Sequence, residues 1–464
     1  MTSKAELQDR LIASQQEHLL RFWDNLTPSQ QAHLASQIAA IDLDQVASLY
    51  RDEVEQSDWG LLARRALPPK AIRLAERAEN SRAAFDCGEA ALRAGKVGVL
   101  LVAGGQGSRL GFEHPKGMYP IGPVSGASLL QIHLEKALAL GKRYDRHMPV
   151  YLMNSPVTQN EQNAFLAEND RFGVAEDDLY IFCQGTMPAV DAATGKLLLA
   201  DRHELFLSPD GHGGTVAALA SSGAIDHMRR RGIEQLFYLQ VDNPLAPIGD
   251  REFVGYHLLA ESELTSMAVA KQGPHDKVGN FALIDGKLHV IEYSDFPNEV
   301  AEERDPEGQL RFWAGSIAVH MFAVSFLERV LALRDSLPFH IARKKVSHID
   351  AIGRLVEPTE PNALKFERFI FDLLPQASNP LVVEYAEREV FAPLKNAPGA
   401  DRDTAEYVQT CMIDQQVSWL RVSGAQVADG VAVEISPLFA FDEQGVRERV
   451  EPGTVIDEAI YLVD

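Results

Sequence analysis

Cysteine is scarce in this chain: Cys87, Cys183 and Cys411 are the only three in 464 residues, far apart and without a CxxC pair. An odd, dispersed set excludes a disulfide framework and a thiolate metal site, and fits a reducing compartment. Long apolar runs are also missing, with nothing near the ~18 residues a membrane helix needs, and residues 1–20 are polar rather than a charged-then-apolar leader. The expectation is a soluble, cytoplasmic protein. Positive charge is in deficit, 44 Lys and Arg against 66 Asp and Glu, for a formal net charge of -22. Such a field opposes nucleic acid and anionic membranes as partners, so a phosphate ligand needs lysines and arginines gathered locally, with a divalent cation. The 14 histidines show neither HExxH nor Cys/His spacing and read as structural or surface residues. There is no internal repeat and no low-complexity segment.

What is present is ordinary for a globular protein, 46% hydrophobic and 24% charged, in a length that suits two to three domains at ~150 residues each. Residues 1–95 read as a helical N-terminal domain: Leu7, Leu11, Leu19, Leu20 and Phe22 suit one face, Thr27-Pro28 opens a second helix through Leu34 and Ile38, and Pro68-Pro69 marks a break. From residue 96 strands and helices alternate, with helices predicted over 128–140, 159–169 and 216–228 and strands over 150–154 and 235–241, which argues for a parallel sheet covered on both faces. Asp285-Gly286 and Thr194-Gly195 are hairpin or turn signals, making the sheet mixed. The acidic run 298–307 reads as a solvated loop. Beyond about residue 395, segments 417–422, 431–435 and 459–463 read as short strands of a small C-terminal domain. The predicted class is α/β: a Rossmann-like mixed, mostly parallel sheet in a catalytic domain over 96–394, between the helical region and a β-rich domain over 395–464.

The chain is organised around residues 97–122, VGVLLVAGGQGSRLGFEHPKGMYPIG. The apolar, β-branched start reads as a strand buried on both faces. Gly104, Gly105 and Gly107 then permit backbone conformations and close approach that side chains block, turning N–H groups toward an anion at the strand's C-terminal end. Arg109 and Lys116 add two cations, and Pro115 keeps the segment before the lysine extended. A P-loop is excluded because neither Gly107 nor Gly111 is followed by Lys and Ser or Thr; GxGxxG fails at Leu110. The pattern GGxGSRLGxxxxPKG resembles the nucleotide-binding loop of sugar-1-phosphate nucleotidyltransferases.

A second apolar strand, QLFYLQV, ends in Asp242-Asn243. A carboxylate at a strand's C-terminal end, in the sheet of a phosphate loop, is placed to hold Mg²⁺ against phosphates; the alternative is a turn residue before Pro244. A second glycine-rich loop, SPDGHGGT over 208–215, suggests backbone held close to a planar or sugar group. Gln184, after LYIFC, offers an amide that donates and accepts. Lys365 and Lys395 read by default as surface lysines.

Together these residues resemble the eukaryotic-type UDP-N-acetylhexosamine pyrophosphorylases, within the UTP-dependent uridylyltransferases. The resemblance runs from QEHLLRFW through LVAGGQGSRLG, HPKGMY, CQGTMPA, SPDGHGG, YLQVDNPL, VIEYSD, residues 361–372 and FAPLKN to EISPL, covering most of the chain. It implies that Gly104, Gly105, Gln184 and Gly211 hold uridine, that Lys116 and Lys365 contact UTP phosphates, that Asp242 places Mg²⁺ or Mn²⁺, that Glu292 and Tyr293 line the sugar pocket, and that Lys395 approaches the sugar phosphate. Two departures fall on the sugar side: His212 replaces the asparagine of PDGNGG, and WAGSI replaces NAGNI, bringing in Trp313 and Ser316. The implied reaction is in-line attack of a sugar-1-phosphate oxygen on the α-phosphorus of UTP, releasing pyrophosphate. With a phosphate monoester's second pKa at ~6 the nucleophile is already anionic. Catalysis then rests on positioning and on charge neutralisation by the metal with Arg109, Lys116, Lys365 and Lys395. N-acetylglucosamine-1-phosphate is the leading sugar; the alternatives are a UDP-glucose or broad UDP-sugar pyrophosphorylase and a non-catalytic nucleotide-sugar sensor.

Overall fold

The computed structural model describes residues 4–52, 58–333 and 337–463. The chain divides into two compact units, one of Met1–Asp58, Gln184–Thr215 and Asp335–Asp372, the other of Trp59–Cys183, Val216–Arg334 and Leu373–Asp464. Where the sequence suggests three consecutive segments, each unit draws on three separated ones, and the helices of the N-terminal region are divided between them.

In the first unit, helices Lys4–Ala13, Pro28–Ala40 and Leu43–Asp52 present an apolar stripe too large to bury among themselves. Leu7, Leu11, Leu19, Leu34 and Ile38 pack instead with Val190, Leu197, Leu205, Leu364 and Phe366 from the two later segments. The second helix starts as the sequence predicts, with Thr27 and Gln30 forming a reciprocal capping box and Pro28 in the first turn. The later segments supply a small antiparallel sheet in which His340–Lys344 pairs with Ala363–Glu367, and the latter with Val190–Asp191.

The second unit is built on a ten-stranded sheet. Its strands in chain order are β1 (Ala71–Ile72), β2 (Val97–Val102), β3 (Val150–Asn154), β4 (Leu179–Cys183), β5 (Gln235–Gln240), β6 (Leu264–Ala270), β7 (Gly279–Ile284), β8 (Lys287–Ile291), β9 (Ala314–Ala323) and β10 (Leu381–Tyr385). They lie in the order β1-β10-β6-β9-β5-β2-β3-β4, with the hairpin β7-β8 attached through β9. Pairings are parallel except those of β9 with β5 and β6 and those of the hairpin. β2, near the middle, is apolar at every position and buried along nearly its whole length, as a strand covered on both faces must be. The β7-β8 turn is Asp285-Gly286, both at positive φ (51° and 81°), the conformation a two-residue hairpin needs to match strand twist. Helices Leu74–Arg93 and Arg251–Leu259 approach closely through Gly88 and Gly255: a Cβ on Gly255 would lie 1.7 Å from the Ala84 carbonyl oxygen.

Three expectations are corrected. Residues 417–422 are the end of helix Ala405–Val422, whose Val408, Met412, Gln416 and Leu420 recur every four residues on one buried face; the β-branched window alone hid that period. The helix predicted over 216–228 is two, Thr215–Ser221 and Ala224–Arg231, divided at Gly223 (φ 80°). The acidic run includes a helical turn, Asn298–Ala301, that buries Val300 and Ala301. The other two C-terminal strands are present as Val433–Ile435 and Ile460–Leu462, paired in parallel. Among the described residues no helix is long and apolar enough to cross a membrane.

Candidate active site

Strands β2 and β5 are parallel neighbours with Val102 opposite Gln240, so the chain leaves both at the same edge of the sheet. The glycine loop follows one and Asp242 the other. In open parallel sheets that C-terminal edge is where ligands bind. Beyond β2 the chain folds back on itself: the Lys116 N–H donates to the Gly105 carbonyl (3.0 Å) and the Gly107 N–H to the His114 carbonyl (2.9 Å). Ser155 Oγ donates to the Gly104 carbonyl (2.8 Å), fixing the loop from β3. The glycines serve approach rather than unusual dihedrals. A Cβ at Gly107 would meet Phe112 at 2.7 Å, one at Gly105 would face open space, and only Gly111, at φ 71°, has a left-handed backbone. Pro115 is extended (φ -51°, ψ 133°), as expected, and delivers Lys116 onto Asp242 with Nζ 3.3 Å from Oδ2. Arg109 lies exposed on the turn Ser108–Leu110. The structure thus joins Lys116 to Asp242, two residues the sequence only suggested separately.

Asp242 is a carboxylate at this mouth, and among the described residues no group of three or more His, Cys, Asp or Glu gathers to hold a metal. Mg²⁺ needs few protein ligands when phosphates and water complete its octahedron, so a single carboxylate at a phosphate loop fits an ion carried in with a nucleotide.

Two of the expected sugar residues of this unit, Glu292 and Ser316, lie beside one glycine. Gly279, opening β7, pairs with Ser316 on β9, and a Cβ there would lie 3.6 Å from Glu292 Oε1 and 3.7 Å from Ser316 Cβ. Tyr293 is exposed. Sequence reading missed Gly279, whose neighbours carry no motif, and missed what Trp313 does. Its indole lies 3.8 Å beneath the Arg73 guanidinium, and Arg73 Nε donates to the buried Glu384 (2.6 Å). Lys395 is exposed, directly after the buried Ala392 and Leu394.

Gln184, Gly211, His212 and Lys365 belong to the first unit. Gln184 is buried. Gly211 has φ 83°, and a Cβ on it would sit 2.4 Å from the Arg368 carbonyl oxygen, so both conformation and space demand glycine. Its loop is laced to the neighbouring segment: the Arg368 N–H donates to the Asp210 carbonyl (2.8 Å) and the Gly213 N–H to the Arg368 carbonyl (2.8 Å). Beneath the loop, burial raises the Asp210 carboxyl to about 6, against the pull of Arg368. His212, expected on the sugar side, has partners within its own unit. Its Nδ1 accepts from the Ile370 N–H (3.1 Å) and its ring stacks on Phe369 at 5.3 Å. Burial, with His340 nearby, pushes its pKa down to about 4, so the ring stays neutral near pH 7 and its inward nitrogen is spent on the fold. Lys365, on Ala363–Glu367, lies 4.9 Å from the centroid of the Phe206 ring, and burial, with Lys344 also near, lowers its pKa.

Comparison with known proteins follows the same lines. The family description UTP–glucose-1-phosphate uridylyltransferase matches residues 48–401. The chain is 34% identical to the UDP-N-acetylglucosamine pyrophosphorylase of Saccharomyces cerevisiae, covering 98% of both chains, and 33% identical to the UDP-N-acetylhexosamine pyrophosphorylase-like protein 1 of Homo sapiens, covering 96% of this chain and 95% of that one. The crystal structure of the uridine diphosphate N-acetylglucosamine pyrophosphorylase from Trypanosoma brucei superimposes with a TM-score of 0.84 at 25% identity, covering 98% of each chain. With a phosphate-type loop, a paired lysine and carboxylate at its mouth, and alignment from end to end, this chain belongs to the UTP–glucose-1-phosphate uridylyltransferase family.

Proposed function

We propose that this protein joins UTP and N-acetylglucosamine-1-phosphate into UDP-N-acetylglucosamine and pyrophosphate. The observation that carries the reading is the Lys116–Asp242 pair, 3.3 Å apart where parallel strands β2 and β5 end beside the glycine loop. End-to-end similarity to proteins bearing that activity in their names supports the choice of sugar.

In this reading Gly104 and Gly105 hold the nucleotide through backbone groups, and Glu292, Tyr293 and Ser316 meet the sugar. His212 shapes the loop that carries Gly211. A sugar phosphate oxygen forms the new bond to the α-phosphorus, the bond from that phosphorus to the bridging oxygen breaks, and the electron pair leaves with pyrophosphate. The nucleophile is already an anion at neutral pH, so no side chain need take a proton. Asp242 would hold Mg²⁺, which supplies charge neutralisation on the phosphates. Lys116 and Arg109 meet growing charge on the leaving group, and Lys395 orients the attacking phosphate.

The test is pyrophosphate release from UTP and Mg²⁺ across a panel of sugar-1-phosphates. The highest kcat/KM is expected with N-acetylglucosamine-1-phosphate. A higher value with glucose-1-phosphate would replace the sugar assignment, and no release with any sugar would remove the enzymatic reading.

A further inference from the structure

Asp242 and Lys395 stand 153 positions apart in the sequence, yet transfer to a phosphorus held beside one by a nucleophile held beside the other requires their spacing to be fixed. The residue after Asp242 fixes it. Asn243 is 3% exposed and uses both ends of its amide on distant backbone: Nδ2 donates to the Val390 carbonyl (2.7 Å) and Oδ1 accepts from the Ala392 N–H (3.1 Å). One residue before Asn243, the Asp242 carbonyl accepts from the Leu394 N–H (2.8 Å), and Lys395 follows. On its far side the Lys395 N–H, with that of Asn396, donates to the carbonyl of Asp403 (2.8 and 2.9 Å). The strand exit is held just as firmly from helix Leu129–Tyr144. His133 Nε2 donates to the Val241 carbonyl (3.1 Å), and the Lys136 ammonium bonds the carbonyls of Pro244 (2.5 Å) and Ala246 (3.2 Å).

An asparagine that only shaped its own turn would bond backbone two or three residues away. Here the amide is spent on residues 147 and 149 positions distant. We propose that Asn243 is a positioning residue: its buried amide staples the loop of Asp242 to the loop of Lys395 and so sets the distance between the α-phosphate and the attacking sugar phosphate. The inference rests on the roles given above to Asp242 and Lys395. It asks nothing of Asn243 as a substrate contact, since its hydrogen-bonding groups face the protein.

The experiment is a double-mutant cycle in the full-length protein. Asn243→Ala removes both bonds; Asn243→Ser keeps one short, uncharged hydrogen-bonding group, and it serves if the alanine variant does not fold. Asn243→Ala should lower kcat/KM for N-acetylglucosamine-1-phosphate by about tenfold or more, shift KM for UTP less than about threefold, and leave UDP-N-acetylglucosamine affinity, read by calorimetry without turnover, reduced in parallel. Asn243→Ser should fall between alanine and wild type. In a Lys395→Ala background the same substitution should cost less than about twofold, because the group it places is gone, while in an Arg109→Ala background it should keep its full cost. Equal cost in all backgrounds, or a loss that falls equally on UTP and the sugar phosphate, would reduce Asn243 to a fold-maintaining residue and overturn the proposal. Lys395→Ala with undiminished activity would instead remove the role of Lys395 itself, and the staple with it.

Discussion

Asp242→Asn isolates one charge at the mouth of the site. The amide matches the carboxylate in shape, so the turn held by His133, Lys136 and Asn243 stays in place and only electrostatics change. In the structure the carboxylate sits 3.3 Å from the Lys116 ammonium, with the two side chains only 13% and 18% exposed. At an effective dielectric of about 20, one unit-charge pair at ~4 Å is worth about 4 kcal/mol. A bound divalent cation would gain more from the carboxylate, but the substitution also frees Lys116 to lean on the phosphates, which offsets part of the loss. The net expectation is about 3–4 kcal/mol at the transition state, or roughly 10²–10³ in turnover. The assay is pyrophosphate release at saturating substrates while Mg²⁺ is titrated from micromolar to tens of millimolar, repeated with Mn²⁺. Turnover should fall, the half-activating metal concentration should rise, and the melting temperature should hardly move. A variant with wild-type turnover at low Mg²⁺ would show that the carboxylate neither holds a metal nor manages Lys116.

Lys116→Ala and Lys365→Ala should each lower turnover more than they raise KM for UTP, because the leaving pyrophosphate gains charge only as the bond breaks; a change confined to KM would make that lysine a plain binding residue. Ser316→Asn, restoring an amide beside Glu292, should raise the preference for N-acetylglucosamine-1-phosphate over glucose-1-phosphate by about tenfold, whereas His212→Asn should mainly cost stability through the lost Ile370 bond; an unchanged ratio of catalytic efficiencies for Ser316→Asn would show that position does not read the sugar. Acid should unfold the protein partly through His257, buried and pushed down to about 3, where Nε2 donates to Gln235 and Nδ1 accepts from Thr265. Its folded pKa lies below the ordinary 6.5, so its contribution is complete above pH 6.5 and is lost as pH falls toward 3, about 2 kcal/mol of it by pH 5. Urea unfolding at pH 7.5 and 5 should show a smaller difference in His257→Gln than in wild type, and identical pH slopes would refute the assignment.

The sequence by itself determined whatever depends on near neighbours. The apolar run of β2, the Thr27 cap, the Asp285-Gly286 turn and the glycine loop with its two cations are local codes, because strand burial, capping and turn geometry are decided within a few residues. Motif identity also carried chemical class, as the order of loop, Asp242 and Lys395 along the chain requires no coordinates. What sequence could not decide was set by long-range packing. Residues 417–422 look like a strand until their fourfold spacing is followed back to Val408. The N-terminal helices end in different units because their apolar stripe is covered by segments that arrive more than a hundred residues later. His212 reads as a sugar-side replacement for asparagine until Ile370 bonds its Nδ1 and Phe369 stacks on its ring, since a side chain's partners lie in surroundings no local pattern encodes. Asn243 carries no signal of its own in the sequence for the same reason: only the tertiary fold brings the carbonyl of Val390 and the N–H of Ala392 to its amide, making it the link between two charged groups far apart in the chain.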